Sequence, residues 1–307
     1  MTQDQSNRRA GFVFGLVAYV AWGVLPLYFK LLTMVPAIEI VANRIIWSLI
    51  FLALLVTFRR RWGSIRTALS SGRILLILLL TAALIATNWL VYVWAVVNGH
   101  VLETSLGYYL NPLFNVLLGV VLLKERLSRA QAGAVLLAAS GVVVLAWGAA
   151  AGLWISLSLA FSFGLYGFIR KIAPVDALEG LSIETALLAP ASLAYLLWAH
   201  HGPSGLAAFG PTATTLLVLG GAITAFPLLL FNAAAKRLPY STLGFLQYIA
   251  PSLQFLLAVT AFGEPLTPAH ALCFGAIWAA LAIFAAESLR LGRANARAAA
   301  EVPEPCP

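Results

Sequence analysis

The chain has 307 residues, of which 62% are hydrophobic and 10% are charged, and its mean hydropathy is +0.93. This composition leaves too little polar surface to coat a water-soluble globule, so it excludes an ordinary soluble domain and predicts an integral membrane protein. The formal net charge of +8 could indicate nucleic-acid binding, but the positions of the basic residues favour membrane topology as its cause and predict no nucleic-acid partner.

Ten apolar runs follow one another along the chain, and each approaches the roughly 20 residues that a helix needs to cross a bilayer. Open sheets cannot satisfy their backbone groups in lipid, so all ten runs are predicted to be helices. The first run is too long for a signal peptide and contains Trp22 and Pro26, so we expect it to remain in the mature protein. The ten predicted helices, in chain order, are centred on residues 11–31, 37–57, 73–97, 102–123, 130–148, 152–170, 180–199, 212–233, 240–262 and 269–289.

Basic residues predict the orientation of these helices. All but two of the 19 lie before the first predicted helix, in every second connection or after the last helix. Because cytoplasmic loops carry an excess of Lys and Arg, this alternation predicts ten crossings with the N-terminus and the C-terminus both in the cytoplasm. The exceptions are Lys30 and Arg44, and the residues that follow the alternation are Arg8, Arg9, Arg59, Arg60, Arg61, Arg66, Arg73, Lys124, Arg126, Arg129, Arg170, Lys171, Lys236, Arg237, Arg290, Arg293 and Arg297.

One sequence pattern occurs twice. Residues 106–112 (LGYYLNP) and 243–251 (LGFLQYIAP) each run into an apolar helix, and an offset of 139 superposes Pro112 on Pro251 and Glu125 on Glu264. With five helices in each half, the second half enters the membrane from the opposite side, so the copies are predicted to be inverted. We therefore expect two five-helix repeats, residues 1–148 and 149–290, followed by a polar C-terminal tail, residues 291–307.

Several short motifs resemble those of a known transporter family. They are residues 43–48 (NRIIWS), 88–89 (NW), 103–108 (ETSLGY), 111–112 (NP), 124–128 (KERLS) and the second-half pattern at 243–251. Together they resemble the RarD branch of the drug/metabolite transporter superfamily, which is built from EamA-type repeats, and the resemblance covers nearly the whole chain. It implies an inner-membrane permease with ten helices, a substrate cavity between the repeats, export as the direction of transport, and a link to chloramphenicol sensitivity.

Two ionisable residues lie inside predicted helices, where charges are rare and expensive. Arg44 is seven residues into helix 2, about 10 Å below its outer end, and Glu184 is four residues into helix 7, about 6 Å from its inner end. Their offset of 140 makes them equivalent positions in the two halves. They should therefore lie on opposite sides of the membrane midplane and not touch each other.

Two interpretations of these charges remain open. In the first they form static pairs that lock helices together, Arg44 with Glu39 or Glu103, and Glu184 with a basic residue. In the second they belong to opposite gates that close in turn during alternating access, and Glu184 exchanges a coupling proton for substrate. The basic residues within reach of Glu184 are Arg170, Lys171, Lys236 and Arg237.

Polar and aromatic residues near mid-membrane form a second set of candidates. In lipid such side chains either hydrogen-bond between helices or face a wet cavity. Asn88, Trp89 and Tyr92 share one helix face, and an aromatic surface beside amide donors suits a small organic solute. The candidate substrate-binding residues are Asn88, Trp89, Tyr92, Tyr109, Asn111, Asn232, Gln247 and Tyr248.

Pro112 and Pro251 occupy the same position in the two copies of the repeated pattern. A proline inside a helix removes one backbone hydrogen bond, so both are predicted to kink their helices and to leave a carbonyl available to a neighbour or a solute. A fixed bend required for packing is the alternative interpretation.

The sequence offers little for catalysis, metals or cofactors. There is no Walker loop, and His100, His200, His201 and His270 lack metal-protease spacing. Cys273 and Cys306 form neither a disulfide framework nor a metal-ligand pair. We therefore predict no cofactor and no enzyme, and expect a secondary transporter of a small organic metabolite or drug-like solute, with the bilayer as its environment and protons as a candidate coupling ion. A membrane enzyme acting on a lipid-linked substrate and a non-transporting scaffold are the alternatives.

Overall fold

The computed structural model describes residues 3–123, 128–148, 150–199, 209–235, 237 and 246–300, and most of these residues are helical with no strand among them. This agrees with the all-helical fold that the composition predicts. A single 3-10 turn lies at Ala150–Gly152. The α-helices are α1 (Gln3–Lys30), α2 (Ala37–Phe58), α3 (Trp62–Leu69), α4 (Gly72–Val97), α5 (Val101–Leu123), α6 (Arg129–Gly148), α7 (Leu153–Ile172), α8 (Ala177–Ala199), α9 (Gly210–Ala235), α10 (Ile249–Thr260) and α11 (Pro268–Ala300).

Within the residues that the structure describes, six helices are long and apolar enough to cross a membrane: α1, α2, α4, α7, α8 and α9. Shorter apolar stretches occur at Arg129–Leu145, Ile249–Thr260 and Pro268–Ile283 within the described part of the chain. The protein is therefore an all-helical, multi-pass membrane protein. The count of ten crossings and the position of both termini stay predictions.

Three helical segments differ from the sequence-based expectation. The helix predicted at 240–262 is described only from residue 246 onward, and there α10 spans Ile249–Thr260 after a turn at Tyr248. Helix α3 lies in the first basic connection, where Ile65 and Ala68 pack against Val56 and Leu78. Eight residues are too few to cross lipid, so a search for apolar runs passes over this helix. Helix α11 extends to Ala300, beyond the end predicted at residue 289. The sequence between these two positions is rich in alanine and arginine, which have high helix propensity.

The chain divides into two compact units. The larger unit comprises Met1–Asn111 with Ile155–Glu264, and the smaller comprises Pro112–Trp154 with Pro265–Pro307. Each unit combines segments from both predicted sequence halves. Within the smaller unit, α6 packs closely on α11, where a Cβ added at Gly141 would lie 2.8 Å from the Cβ of Ala276. The candidate residues Arg44 and Glu184 both lie in the larger unit.

The backbones of α2 and α9 approach closely within the larger unit. A Cβ added at Gly221 would lie 2.4 Å from the carbonyl carbon of Trp47 and 2.6 Å from the backbone nitrogen of Ser48. The hydroxyl of Ser48 donates a hydrogen bond to the Gly221 carbonyl at 3.3 Å. Small residues at such crossings let membrane helices approach closely. This contact fixes α9 against the helix that carries Arg44.

Changing Gly221 to alanine is expected to lower the free energy of unfolding by about 1–3 kcal/mol, because the new methyl group meets backbone atoms that cannot rotate away. Unfolding of the purified protein in detergent, followed by circular dichroism, measures the change. Gly167 of α7 is the matched control, since its added Cβ meets nothing within 4 Å. Gly167→Ala should be neutral or stabilising by about 0.5–1 kcal/mol. Equal stability of the two variants would contradict this account of the α2–α9 contact.

Candidate functional site

Arg44 lies in α2 and is only 3% exposed. Its Nε donates a hydrogen bond to the Thr224 hydroxyl of α9 at 2.8 Å. That hydroxyl can accept because its own proton is donated to the carbonyl of Gly220 at 2.7 Å. The pair of bonds fixes the guanidinium between two helices that belong to opposite halves of the sequence.

Aromatic rings surround the Arg44 guanidinium. Its central carbon lies 5.1 Å from the ring centroid of Phe29 and 5.4 Å from that of Trp89. These distances are in the range of cation–π attraction. Phe29 meets Tyr92 edge-on at 5.9 Å, and Tyr92 lies 5.6 Å from Tyr108. We call Phe29, Trp89, Tyr92 and Tyr108 the aromatic wall.

Arg44 has no carboxylate partner among the described residues, in contrast to the pairs with Glu39 or Glu103 that the sequence offered. Glu39 is five residues from Arg44 on the same helix, which places the two about 140° apart around its axis. Glu103 lies 3.6 Å from the imidazole of His100 instead. Within the described residues, Nη1 of Arg44 and the hydroxyl of Tyr92 are both buried without a hydrogen-bond partner.

Asn88 is buried and connects three helices. Its amide nitrogen donates to the Leu159 carbonyl at 3.2 Å and to the Ser162 hydroxyl at 3.0 Å, both on α7. Its amide oxygen accepts a hydrogen bond from the hydroxyl of Tyr108 at 3.2 Å. The rings of Trp89 and Tyr92 lie beside the Arg44 side chain. Asn88, on the same face of α4, instead holds α4, α5 and α7 together and orients Tyr108.

Glu184 of α8 is 1% exposed and has three polar neighbours. Its Oε1 accepts a hydrogen bond from the Thr81 hydroxyl at 2.6 Å, and its Oε2 accepts one from the Tyr166 hydroxyl at 3.3 Å. Nε of Arg170 lies 3.5 Å from Oε1. Arg170 is one of the four basic partners that the sequence offered, and Lys236, another of them, lies outside the described residues.

The two buried charges make equivalent contacts. Arg44 bonds to Thr224, and Glu184 bonds to Thr81, so each charge meets a threonine hydroxyl from the other sequence half. The offset between the charges is 140 and the offset between the threonines is 143. We refer to these two contacts as the charge–threonine pairs.

A second group of predicted residues gathers around the start of α10. Tyr109 stacks on Tyr248 with ring centroids 6.3 Å apart, and its hydroxyl is 2.6 Å from that of Ser252. The hydroxyl of Ser105 donates to the carbonyl of Pro251 at 2.8 Å. This group is distinct from the residues that contact Arg44.

The remaining candidates take different positions. Both amide atoms of Asn111 are buried without hydrogen-bond partners in the described part of the chain, and Gln247 is half-buried. Asn232 lies on α9, and its side chain is outside the described set. Pro112 lies within the unbroken helix α5, whereas a turn at Tyr248 precedes Pro251. The described residues contain no group of three or more His, Cys, Asp or Glu that could hold a metal ion.

Glu264, the glutamate of the second repeated pattern, caps the N-terminus of α5. Its carboxylate accepts hydrogen bonds from the backbone nitrogens of Val101 at 2.6 Å and Leu102 at 2.7 Å. Such acceptors satisfy orphan N–H groups at a helix start. Glu264 lies between two predicted membrane helices. Its burial raises its pKa to about 7, and the nearby Glu103 adds a smaller increase. The two backbone hydrogen bonds oppose this shift by lowering the pKa.

This raised pKa predicts how the stability of the protein depends on pH. The folded state holds the Glu264 proton more tightly than the unfolded chain, whose carboxyl has a pKa of 4.5, so stability is greatest below that value and falls as pH rises toward 7. We expect Glu264→Gln, which cannot ionise, to remove this part of the pH dependence. Melting temperatures in detergent between pH 5 and 8 measure this dependence, with the neighbouring residues His100 and Glu103 unchanged in both proteins. Identical pH profiles would show that Glu264 does not titrate in this window.

Comparison with known proteins identifies the family. Residues 9–147 match the EamA-like transporter family. The chain is 50% identical over 286 residues to "Uncharacterized transporter PA0485" of Pseudomonas aeruginosa, covering 93% of this chain and 96% of that protein. It is 43% identical over 295 residues to "Protein RarD" of Escherichia coli, covering 96% of this chain and all of that protein.

A more distant relative and a solved structure agree with these matches. "Chloramphenicol-sensitive protein RarD" of Pseudomonas aeruginosa is 35% identical over 291 residues, covering 94% of this chain and 97% of that protein. A solved structure titled "Crystal structure of protein" superposes with a TM-score of 0.58 at 22% identity, covering 89% of this chain and 96% of that chain, and so has the same fold. The chain therefore belongs to the EamA-like transporter family, among its RarD-type permeases, and is a multi-pass protein of the inner membrane.

Proposed function

We propose that the protein is a secondary transporter that exports a small organic metabolite or drug-like solute across the inner membrane by alternating access, and that it is not an enzyme. The observation that carries the proposal is the presence of two charge–threonine pairs, Arg44 with Thr224 and Glu184 with Thr81, each joining the two halves of the sequence. In inverted-repeat transporters, access alternates when one part of the protein rocks against the other around a central site.

The buried charges support this proposal because they are too costly to be incidental. A charge at the centre of a spanning helix raises the free energy of insertion by about 2.5–3.5 kcal/mol. Each of the two forms a hydrogen bond to the opposite half that can break when the halves move. In the proposed cycle, Arg44 with Thr224 belongs to the outer gate, and Glu184 with Thr81 and Arg170 belongs to the inner gate.

The other predicted residues take roles around these gates. Trp89 and Tyr92 contact the solute near Arg44, with Asn88 orienting the wall. The group near α10, together with Asn111, Asn232 and Gln247, lines a further part of the path, and Pro112 and Pro251 bend the two repeated helices. Glu39 and Glu103 act as charges at the outer gate. The repeats are residues 1–148 and 149–290, with both termini cytoplasmic.

Proton coupling follows from the position of Glu184 in the inner gate. Its carboxylate is held by Thr81, Tyr166 and Arg170, so opening of the gate would change its ability to hold a proton. We expect Glu184→Gln to abolish the response of solute flux to an imposed pH gradient. A full response in this variant would reject proton exchange at Glu184 and leave transport itself intact.

Net solute flux in proteoliposomes tests the proposed function. Vesicles containing the purified protein are loaded with a bacterial metabolite extract supplemented with chloramphenicol, because one relative is named for chloramphenicol sensitivity. Mass spectrometry then compares the contents with those of protein-free vesicles over time. We expect one or a few solutes to leave faster through a saturable route. The absence of any protein-dependent flux would reject the transporter.

A further inference from the structure

We infer that the solute is an organic anion whose carboxylate binds Arg44 and whose planar apolar part lies on the aromatic wall. The inference rests on the proposed transport function and specifies the chemical class of its substrate. Three features of the Arg44 site lead to it: an uncompensated positive charge, unused hydrogen-bond donors, and rings placed beside them.

The charge of Arg44 has no counterion in the described residues. Its electrostatic neighbours are the phenol groups of Tyr28, Tyr92 and Tyr108, and none of the carboxylates described here contacts it. Phenols in water are neutral below about pH 10, so they provide polar contact without negative charge. A buried cation in an apolar helix bundle calls for an anion, and a bound solute can supply it.

The guanidinium also has hydrogen-bond donors that are not in use. It carries five N–H groups, and among the described residues only the one on Nε has a hydrogen-bond acceptor, the Thr224 hydroxyl. Nη1 is buried without a partner, and the nearby Tyr92 hydroxyl is also buried without one in the described part of the chain. Because Thr224 fixes Nε, the two terminal nitrogens remain available for a carboxylate. Planar carboxylates match this edge of a guanidinium with two parallel bonds.

The rings beside Arg44 favour an apolar, planar body on the anion. Trp89 and Tyr108 are half-buried, whereas Phe29 and Tyr92 are buried. The bond from Tyr108 to Asn88 holds that ring in one orientation. Aromatic surfaces of this kind attract planar apolar groups through offset or edge-to-face contacts. An aromatic carboxylate satisfies the charge, the donors and the rings together.

The Glu184 site does not offer the same opportunity to a cationic solute. Its carboxylate already receives hydrogen bonds from Thr81 and Tyr166 and has a cation, Arg170, at 3.5 Å. A cationic ligand would have to displace these partners. The two buried charges therefore differ, and only Arg44 lacks a neutralising group among the described residues.

Binding of matched carboxylate and carboxamide pairs to the full-length protein in detergent tests the inference. The probes are phenylacetate with phenylacetamide and benzoate with benzamide, measured by isothermal titration calorimetry at constant ionic strength. We expect each carboxylate to bind at least tenfold more tightly than its amide, and more tightly than acetate, which lacks a ring. Equal affinity within each pair, or binding of neither member, would overturn the inference.

Variants assign the preference to Arg44. In Arg44→Gln the difference between carboxylate and amide should disappear, whereas Arg59→Gln, an exposed position at the C-terminal end of the same helix, should keep it. A preference retained in Arg44→Gln would overturn the assignment. If that variant does not fold, Trp89→Leu decides in its place, since it should reduce the advantage of phenylacetate over acetate at least fivefold.

Flux measurements separate failure of the inference from failure of the proposed function. If proteoliposomes move neutral or cationic solutes and discriminate against carboxylates, the anion inference is wrong and transport stands. If carboxylates bind with the expected preference but no solute crosses the membrane, the Arg44 site stands and transport is rejected.

Discussion

Replacing Arg44 with glutamine is expected to stabilise the fold while reducing solute flux at least tenfold. Arg44 is a buried cation with no carboxylate partner among the described residues, and its removal eliminates a desolvation penalty of several kcal/mol. The loss of side-chain volume and of the bond to Thr224 offsets part of this gain. We therefore expect a net increase of about 1–3 kcal/mol in the free energy of unfolding.

Two measurements on the same preparation check this prediction. Unfolding in detergent gives the stability, and efflux from proteoliposomes gives the flux per folded molecule. Arg59→Gln again serves as the control, because its side chain is exposed and should change neither quantity. A variant that loses stability and flux together would indicate that Arg44 is a structural residue. Unchanged flux would remove Arg44 from the transport pathway.

Glu184→Gln is expected to have the opposite effect on stability. It removes the counterion of Arg170, whose side chain is only 13% exposed, and leaves that cation with a neutral partner. Breaking a buried ion pair by removing one member destabilises proteins by about 3–5 kcal/mol, and partial exposure of Arg170 should reduce this to about 2–4 kcal/mol. Gly180 packs directly on the same guanidinium, which limits its freedom to turn toward water.

A double substitution separates the effect of charge from that of packing. Arg170→Met combined with Glu184→Met removes both charges at once and should recover most of the lost stability, because no uncompensated ion remains. Chemical unfolding of the two single variants and the double variant gives the coupling free energy. If the double variant is as unstable as the sum of the singles, the ion pair does not account for the loss.

The general architecture could be predicted from the sequence because it depends on composition. Apolar runs of about 20 residues can only be helices in lipid, and helices cover most of these runs in the described part of the chain. The position of α3 could not be predicted in the same way, because eight residues in a basic connection carry no signal of membrane insertion. Its packing depends on Val56 and Leu78, which come from different helices.

The charged residues of the candidate site could be predicted from the sequence, but most of the residues that they contact could not. Arg44 and Glu184 stand out as ionisable residues in apolar runs, but helix contacts in three dimensions decide what they touch. The threonines were missed because a hydroxyl in a membrane helix is common. Their offset of 143, close to the 140 between the charges, is the signal that would have found Thr81 and Thr224. Glu264 was recognised as part of a repeat, but its role as a cap of α5 required coordinates.

Accessibility of the two threonine positions tests the central claim of alternating access at the charge–threonine pairs. Thr81→Cys and Thr224→Cys are made separately in a chain with both natural cysteines replaced by serine and reconstituted in proteoliposomes of uniform orientation. A membrane-impermeant maleimide is applied from the cytoplasmic side to label position 81 and from the outer side to label position 224. Alternating access predicts that saturating phenylacetate, or the solute identified by flux, raises labelling at one position and lowers it at the other. Labelling that changes in the same direction at both positions, or at neither, would contradict the account.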